Sequence, residues 1–222
     1  MLNVFLFVVL PYVALALFIF VTPYRYFSNR LTWSAYSTQF LEQKAGSNPW
    51  HYGIIPVVLA HFAGVIAPGP MKALLANQQT LILLESVGLG LGLFALFGCL
   101  VLMVRRAQTP LLKPVTSAVD WVLLFLLAVQ AATGVYMGLF MRWGSQWHLH
   151  TAVPYLHSLL VFHPRIEFVA DFPLVFKLHA AGAFLIVALL PFTKLVHLLF
   201  LPIGFLKDPP ILYRWRSPMT GK

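Results

Sequence analysis

Five stretches of this chain stay apolar for long enough to cross a bilayer, which removes most folds from consideration. They run Leu2–Val21, Trp50–Ile66, Leu83–Val104, Ala118–Phe140 and Phe172–Leu190. A helix rises 1.5 Å per residue, so about 20 apolar residues span a hydrocarbon core of about 30 Å. Lipid offers no hydrogen bonds, so a spanning segment must satisfy its own backbone, and a helix does that within one run. The composition agrees: 60% of the 222 residues are hydrophobic and only 9% are charged. Soluble domains carry about 25% charged residues. The expectation is an all-α integral membrane protein with five transmembrane helices, forming a single membrane domain over residues 1–222. The first run, MLNVFLFVVLPYVALALFIFV, has no basic n-region and no small-residue cleavage site, so it reads as a retained span.

Lysine and arginine then orient the bundle. Arg25, Arg30 and Lys44 follow the first span; Arg105, Arg106 and Lys113 follow the third; Lys194, Lys207, Arg214, Arg216 and Lys222 follow the fifth. Those eleven share one side, against Lys72, Arg142, Arg165 and Lys177 on the other. Basic connections stay in the cytoplasm. The N-terminus is therefore expected outside and the C-terminus in the cytoplasm, the topology of a multi-pass membrane protein. The net charge of +9 meets lipid headgroups on this reading, not nucleic acid. The tail 205–222, with FLKDPPILYRWR at its start, suits docking to a cytoplasmic partner as well as an ordinary cytoplasmic end.

Four of the eight histidines lie in or at the ends of spans: His51, His61, His179 and His197. An imidazole at membrane depth is costly and marks a cofactor, an ion path or a proton relay. The second span runs inside to outside and the fifth runs back. His51 and His197 therefore share the inner depth, and His61 and His179 the outer. Two imidazoles at matched depth on two helices are what a six-coordinate b-type haem needs. Two such haems would form an electron path across the bilayer. The one cysteine, Cys99, reads as a small apolar helix residue and cannot hold an iron–sulfur cluster alone.

The spacing raises a geometric question. As continuous helices, His51 and His61 lie about 15 Å apart along the axis and His179 and His197 about 27 Å apart, the latter on one face after about five turns. Something must bend. Pro56 lies between the first two histidines and Pro191 ahead of His197, and proline kinks helices.

Other residues invite roles. Arg105, Arg106, Lys113 and Lys194 suit haem propionates or headgroups, as do Arg25 and Tyr26. Asp120 reads as a helix-start charge facing the inner headgroups. Gly88, Gly90, Gly92 and Gly98 would let the third span approach a neighbour or a flat cofactor. The connection Met141–Asp171 holds AVPYLHSLLVF, a candidate short interfacial helix. Its histidines, His148, His150, His157 and His163, read as solvated loop residues; the His148–His150 pair is a weak metal signal.

The blocks TWSAYSTQFLEQK, WHYGIIPVVLAHFAGVIAP and VFKLHAAGAFLIVALLPFTKLVH strongly resemble the gamma subunit of respiratory nitrate reductase. The four histidines and both of their intervals match the family pattern, as do SLLVFH and Arg105–Arg106. The resemblance implies a di-haem cytochrome b that oxidises quinol near the outer face and releases protons there. It implies partners: an iron–sulfur beta subunit and a molybdenum alpha subunit on the cytoplasmic side, which carry the clusters, the molybdenum cofactor and nitrate reduction itself. His51 and His197 then hold the proximal haem, and His61 and His179 the distal one. Quinol chemistry is implied beside His61, with a lysine after the second span. Here the only lysine in that connection is Lys72, off the family position, with Glu85 and Gln79 as other polar candidates. Rival readings are the equivalent subunit of another molybdenum or sulfur-cycle enzyme, quinone reduction in the reverse direction, and a non-redox anchor or transporter relaying protons through its histidines.

Overall fold

The computed structural model describes residues 1–28, 44–141 and 144–199. Among these residues every regular element is helical, and five helices are long and apolar enough to cross a bilayer. The tail 205–222 and residues 32–43 of the TWSAYSTQFLEQK block lie outside the described residues.

Helix α1, Leu2–Ser28, is one run interrupted by two π turns, Phe5–Val9 and Leu17–Val21. Helix α2, Lys44–Ile66, continues through both Pro49 and Pro56. A short α3, Pro68–Leu75, leads to α4, Gln78–Gln108, and α5 covers Ala118–Phe140. A helical run over 144–160, here α6, joins Gly144–Trp147, a π turn His148–Ala152 and Val153–Leu160. Helix α7 covers Leu174–Leu189.

The spans begin and end where side chains replace missing backbone bonds. Asn77 Oδ1 accepts from Gln79 N at 2.8 Å and caps α4, so this helix starts ahead of its apolar core. Ser117 and Asp120 form a reciprocal capping box that starts α5. Apolarity alone marks only the lipid-embedded part of a helix, which is why α1, α2 and α4 outrun their expected bounds.

The fifth span differs most from expectation. It breaks at Pro191: Leu190–Phe192 is a 3₁₀ turn, Thr193 is extended (φ −120°, ψ 168°), and Lys194–Leu198 is a second 3₁₀ turn. Proline removes an amide donor and its ring clashes with the preceding turn, and Thr193 restarts the chain by accepting from Leu195 N at 3.3 Å. A continuous helix carrying His179 and His197 on one face is therefore incorrect. The break at Pro191 interrupts the last span between His179 and His197, while α2 remains helical past Pro56.

Helix α2 packs on α4, α4 on α5, α5 on α7 and α7 on α1. The α2–α4 contact is backbone to backbone. A Cβ on Gly53 would stand 2.5 Å from Ala95 N, and one on Gly98 would strike the backbone of Trp50. No side chain fits at either position. Of the four glycines singled out in α4, Gly98 makes the close approach. Gly92 would reach Val135 only at ordinary contact, 3.4 Å, and nothing lies within 4 Å of Gly88 or Gly90. Trp50, Ala95 and Cys99 form the small core at this contact. Much of the outer surface is apolar, Phe20, Ile66 and Phe125 among it, as expected where lipid is the solvent.

The connection after α5 is more ordered than a loop. Helix α6 buries Leu149 and Val153 against Leu75 and Leu81, and Tyr155 and Leu159 against Phe7 and Phe176. Tyr155 also donates to the Phe7 carbonyl at 2.9 Å. It is thus a packed cover over one end of the bundle, longer than the short interfacial helix expected at AVPYLHSLLVF.

Candidate functional site

The four span histidines meet in two pairs. His51 of α2 and His197 of the last 3₁₀ turn have ring centroids 6.2 Å apart; His61 of α2 and His179 of α7 are 6.5 Å apart. The crossed pairing does not arise. Helix α2 packs mainly on α4, and α7, which carries His179, mainly on α5 and α1.

One nitrogen of each ring is committed. His51 Nδ1 lies 2.8 Å from the Ser47 carbonyl, His61 Nδ1 2.7 Å from the Val57 carbonyl, and His197 Nδ1 2.8 Å from the Lys194 carbonyl. A carbonyl only accepts, so each Nδ1 carries the proton. His179 Nδ1 lies 3.0 Å from Thr133 Oγ1, whose own hydrogen is directed at the Val129 or Gln130 carbonyl, 2.8 and 3.0 Å away. The hydroxyl oxygen therefore accepts from His179 as well. All four imidazoles keep their lone pair on Nε2, the arrangement of a metal-ligating histidine oriented through its other nitrogen.

The spacing suits a shared metal. A transition metal sits about 2 Å from each imidazole nitrogen, and with a ring radius added on either side the centroids stand about 6 Å apart. Two imidazoles leave the rest of the coordination sphere to another group, and among the described residues no three of His, Cys, Asp and Glu gather into a metal cage. The donor set fits an iron macrocycle, which each pair of imidazoles would hold. Gly134 clears the way on one side: a Cβ there would stand 3.2 Å from His179 Cε1.

Around the His51–His197 pair the fixed charges are concentrated. Asp120 is buried at 5% exposure. It does not face headgroups as a helix-start charge would: Lys194 Nζ donates to its Oδ2 at 3.0 Å, Ser117 N donates to the same oxygen at 2.9 Å, and Arg106 Nη1 stands 3.9 Å away. Arg25 Nη1 donates to the Pro191 carbonyl at 2.6 Å, at the break itself. Lys113 is exposed, and Arg105 lines a groove of about 400 Å³ with Phe97, Leu100 and Val104 on the outer face of α4.

Around the His61–His179 pair the contacts come from α6. His148 Nε2 donates to the His61 carbonyl at 3.1 Å and its ring meets that of His61 edge to face at 5.0 Å. His157 Nε2 donates to the Val65 carbonyl at 2.9 Å. A Cβ on Gly64 would press on His148 at 2.9 Å. Burial, then the neighbouring His61, pushes His148 down to about 4, so it is neutral near pH 7. The solvated-loop reading is therefore wrong for His148. His150 and His163 are exposed. Of the polar candidates for quinol, Lys72 and Gln79 are exposed, while Glu85 accepts from Ser145 N and Oγ at 3.1 and 2.7 Å.

Thr133, Gly134 and His148 escape a reading by residue type. Thr133 had a signal available: a hydroxyl followed by glycine in an otherwise apolar span. The Asp120–Lys194 contact had a weaker one, an acid at a span end with its partner 74 positions away.

Comparison with known proteins adds an independent line. The family model described as nitrate reductase gamma subunit matches residues 3–216. The chain is 31% identical to the nitrate reductase gamma chain of Bacillus subtilis, over 94% of this chain and 96% of that one. It is 30% identical to the respiratory nitrate reductase 1 gamma chain of Escherichia coli, over 97% and 98%. A nitrate reductase-like protein, NarX, of Mycobacterium tuberculosis is 27% identical over 96% of this chain, which spans 34% of that longer protein.

Proposed function

The chain belongs to the nitrate reductase gamma subunit family, and on that premise we propose that it is a quinol-oxidising di-haem subunit that delivers electrons to partner subunits in the cytoplasm. The observation that carries this is the pair of imidazole pairs, 6.2 and 6.5 Å between centroids, all four with Nδ1 tied and Nε2 left for iron. His51 and His197 hold one b-type haem, His61 and His179 the other. When bound, such a group would supply one-electron transfer, held by the two imidazoles of its pair.

With the basic ends in the cytoplasm, the His61–His179 pair lies near the outer face and the His51–His197 pair near the inner one. Quinol is oxidised beside His61, under the cover of α6, and its two protons leave on the outer side. Its two electrons travel inward to an iron–sulfur beta subunit and then to a molybdenum alpha subunit that reduces nitrate. Each charge moved inward against a 100 mV potential requires about 2.3 kcal/mol. The subunit thereby generates proton-motive force without moving protons through itself. The bacterial relatives and the five apolar helices support a multi-pass protein of the cytoplasmic membrane.

Redox spectra of the intact complex test this. The native complex should show two low-spin haem signals per gamma chain. His51→Ala should lose one of them and His61→Ala the other. A single haem in the native complex, or the same signal lost in both variants, would refute the two-pair arrangement.

A further inference from the structure

We infer that Asp120 is a positioning residue for the His51–His197 haem, acting on His197 through Lys194. The inference rests on the reading that this pair holds a haem, and it gives a role to a buried acid that electron transfer itself does not use.

The geometry forms one chain of contacts. His197 Nδ1 donates to the Lys194 carbonyl at 2.8 Å, so residue 194 sets both the tautomer and the aim of the ring. The ammonium of the same residue donates to Asp120 Oδ2 at 3.0 Å. Asp120 is itself immobilised, since Ser117 N donates to its carboxylate at 2.9 Å and Asp120 N donates to Ser117 Oγ at 3.2 Å. The carboxylate is thus fixed to the first turn of α5, a rigid span, and Lys194 hangs from it.

His197 needs such support where the other ligands do not. His51, His61 and His179 sit within α-helices. His197 sits in a five-residue 3₁₀ turn beyond an extended residue, so no helix ladder carries its register across the break. Short 3₁₀ turns have poor hydrogen-bond geometry. A charge-assisted hydrogen bond is stronger than a neutral one, and here it runs from the half-buried Lys194 of the ligand-bearing turn to the buried Asp120 of α5. Removing the carboxylate also leaves two cations, Lys194 and Arg106, beside each other, since Arg106 Nη1 stands 3.9 Å from the same oxygen. The lysine would swing away and take the carbonyl that orients His197 with it.

The test uses the intact complex in native membranes, with the midpoint potential and low-temperature EPR signal of each haem as readouts. Asp120→Asn and Lys194→Gln should each displace the potential and EPR position of the signal that His51→Ala abolishes, leaving the signal that His61→Ala abolishes in place. Lys194→Arg, which keeps the ion pair, should restore the native signal. The inference is overturned if the His51-dependent signal is native in Lys194→Gln, or if both haem signals move together. Lys194→Gln decides alone should Asp120→Asn fail to accumulate. Should His51→Ala remove no haem, the functional reading fails first; should it remove one while Lys194→Gln changes nothing, only the role of Asp120 fails.

Discussion

At one end of the bundle His179 sits inside an unbroken α-helix and gives its Nδ1 proton to a hydroxyl on the adjacent span, Thr133 at 3.0 Å. At the other end His197 follows a broken helix and gives its proton to a carbonyl three residues back, Lys194 at 2.8 Å. The centroid spacings of the two pairs differ by only 0.3 Å (6.2 against 6.5 Å). One pair is set by regular helix and close packing, with Gly134 beside the ring and α6 above. The other is set by ionic contacts around a break, Asp120 with Lys194 and Arg25 with the Pro191 carbonyl. Similar ring spacings are reached through two kinds of support, so the two ends should respond to different perturbations.

The contact common to both pairs is α2 against α4, and disturbing it should erase the distinction. A Cβ on Gly53 has backbone at 2.5 Å, so Gly53→Leu must push the helices apart. Overpacking of a tight contact costs typically 1–3 kcal/mol, and backbone neighbours leave little room to relax. We expect both haems to be lost or weakened together, with a clear fall in the thermal midpoint of the detergent-solubilised complex. Haem content per chain and a melting curve check this.

Thr133→Val should sharpen the contrast. It keeps the shape and removes the acceptor from His179. Loss of an outer partner of a metal-bound histidine typically costs 10–100-fold in affinity. The His61–His179 haem should bind that much more weakly, and the other should be unchanged. Competition of the purified complex with a haem-binding apoprotein reads the two losses separately.

The smallest effect belongs to His148→Ala. It deletes one donor to the His61 carbonyl and a ring contact, worth about 1 kcal/mol for a neutral hydrogen bond. Both haems should remain, and amide exchange should rise along α6 first. Uniform exchange across both ends would show that α6 is no separate cover.

The contrast also explains what could be read in advance. The four span histidines and their pairing were legible because an imidazole is conspicuous among apolar residues and because span direction fixes depth. Helix α5 was legible to both bounds, since Ser117 and Asp120 announce its start locally. Pro191 was legible as a possible bend but not as a helix end, because apolar residues continue on both sides of it and α2 passes through Pro56 with the same residue type inside. Proline alone does not distinguish a tolerated position from a terminating one. Helix α6 was hidden differently. It starts at Gly144 among polar residues, and what buries it are Leu75, Leu81, Phe7 and Phe176, distant in sequence.

Both pairs draw one member from α2 and one from the last span. During synthesis, therefore, a chain that has delivered only its first four spans holds two lone imidazoles and no complete site. On the proposed function, cofactor loading waits for the final span, and the His51–His197 pair waits longest, because it needs eighteen further residues and the closing of Arg25 onto Pro191 across 166 positions. A truncation shortly after His179 should leave a protein able to take one haem at most, which makes the order of assembly a property of where the ligands sit along the chain.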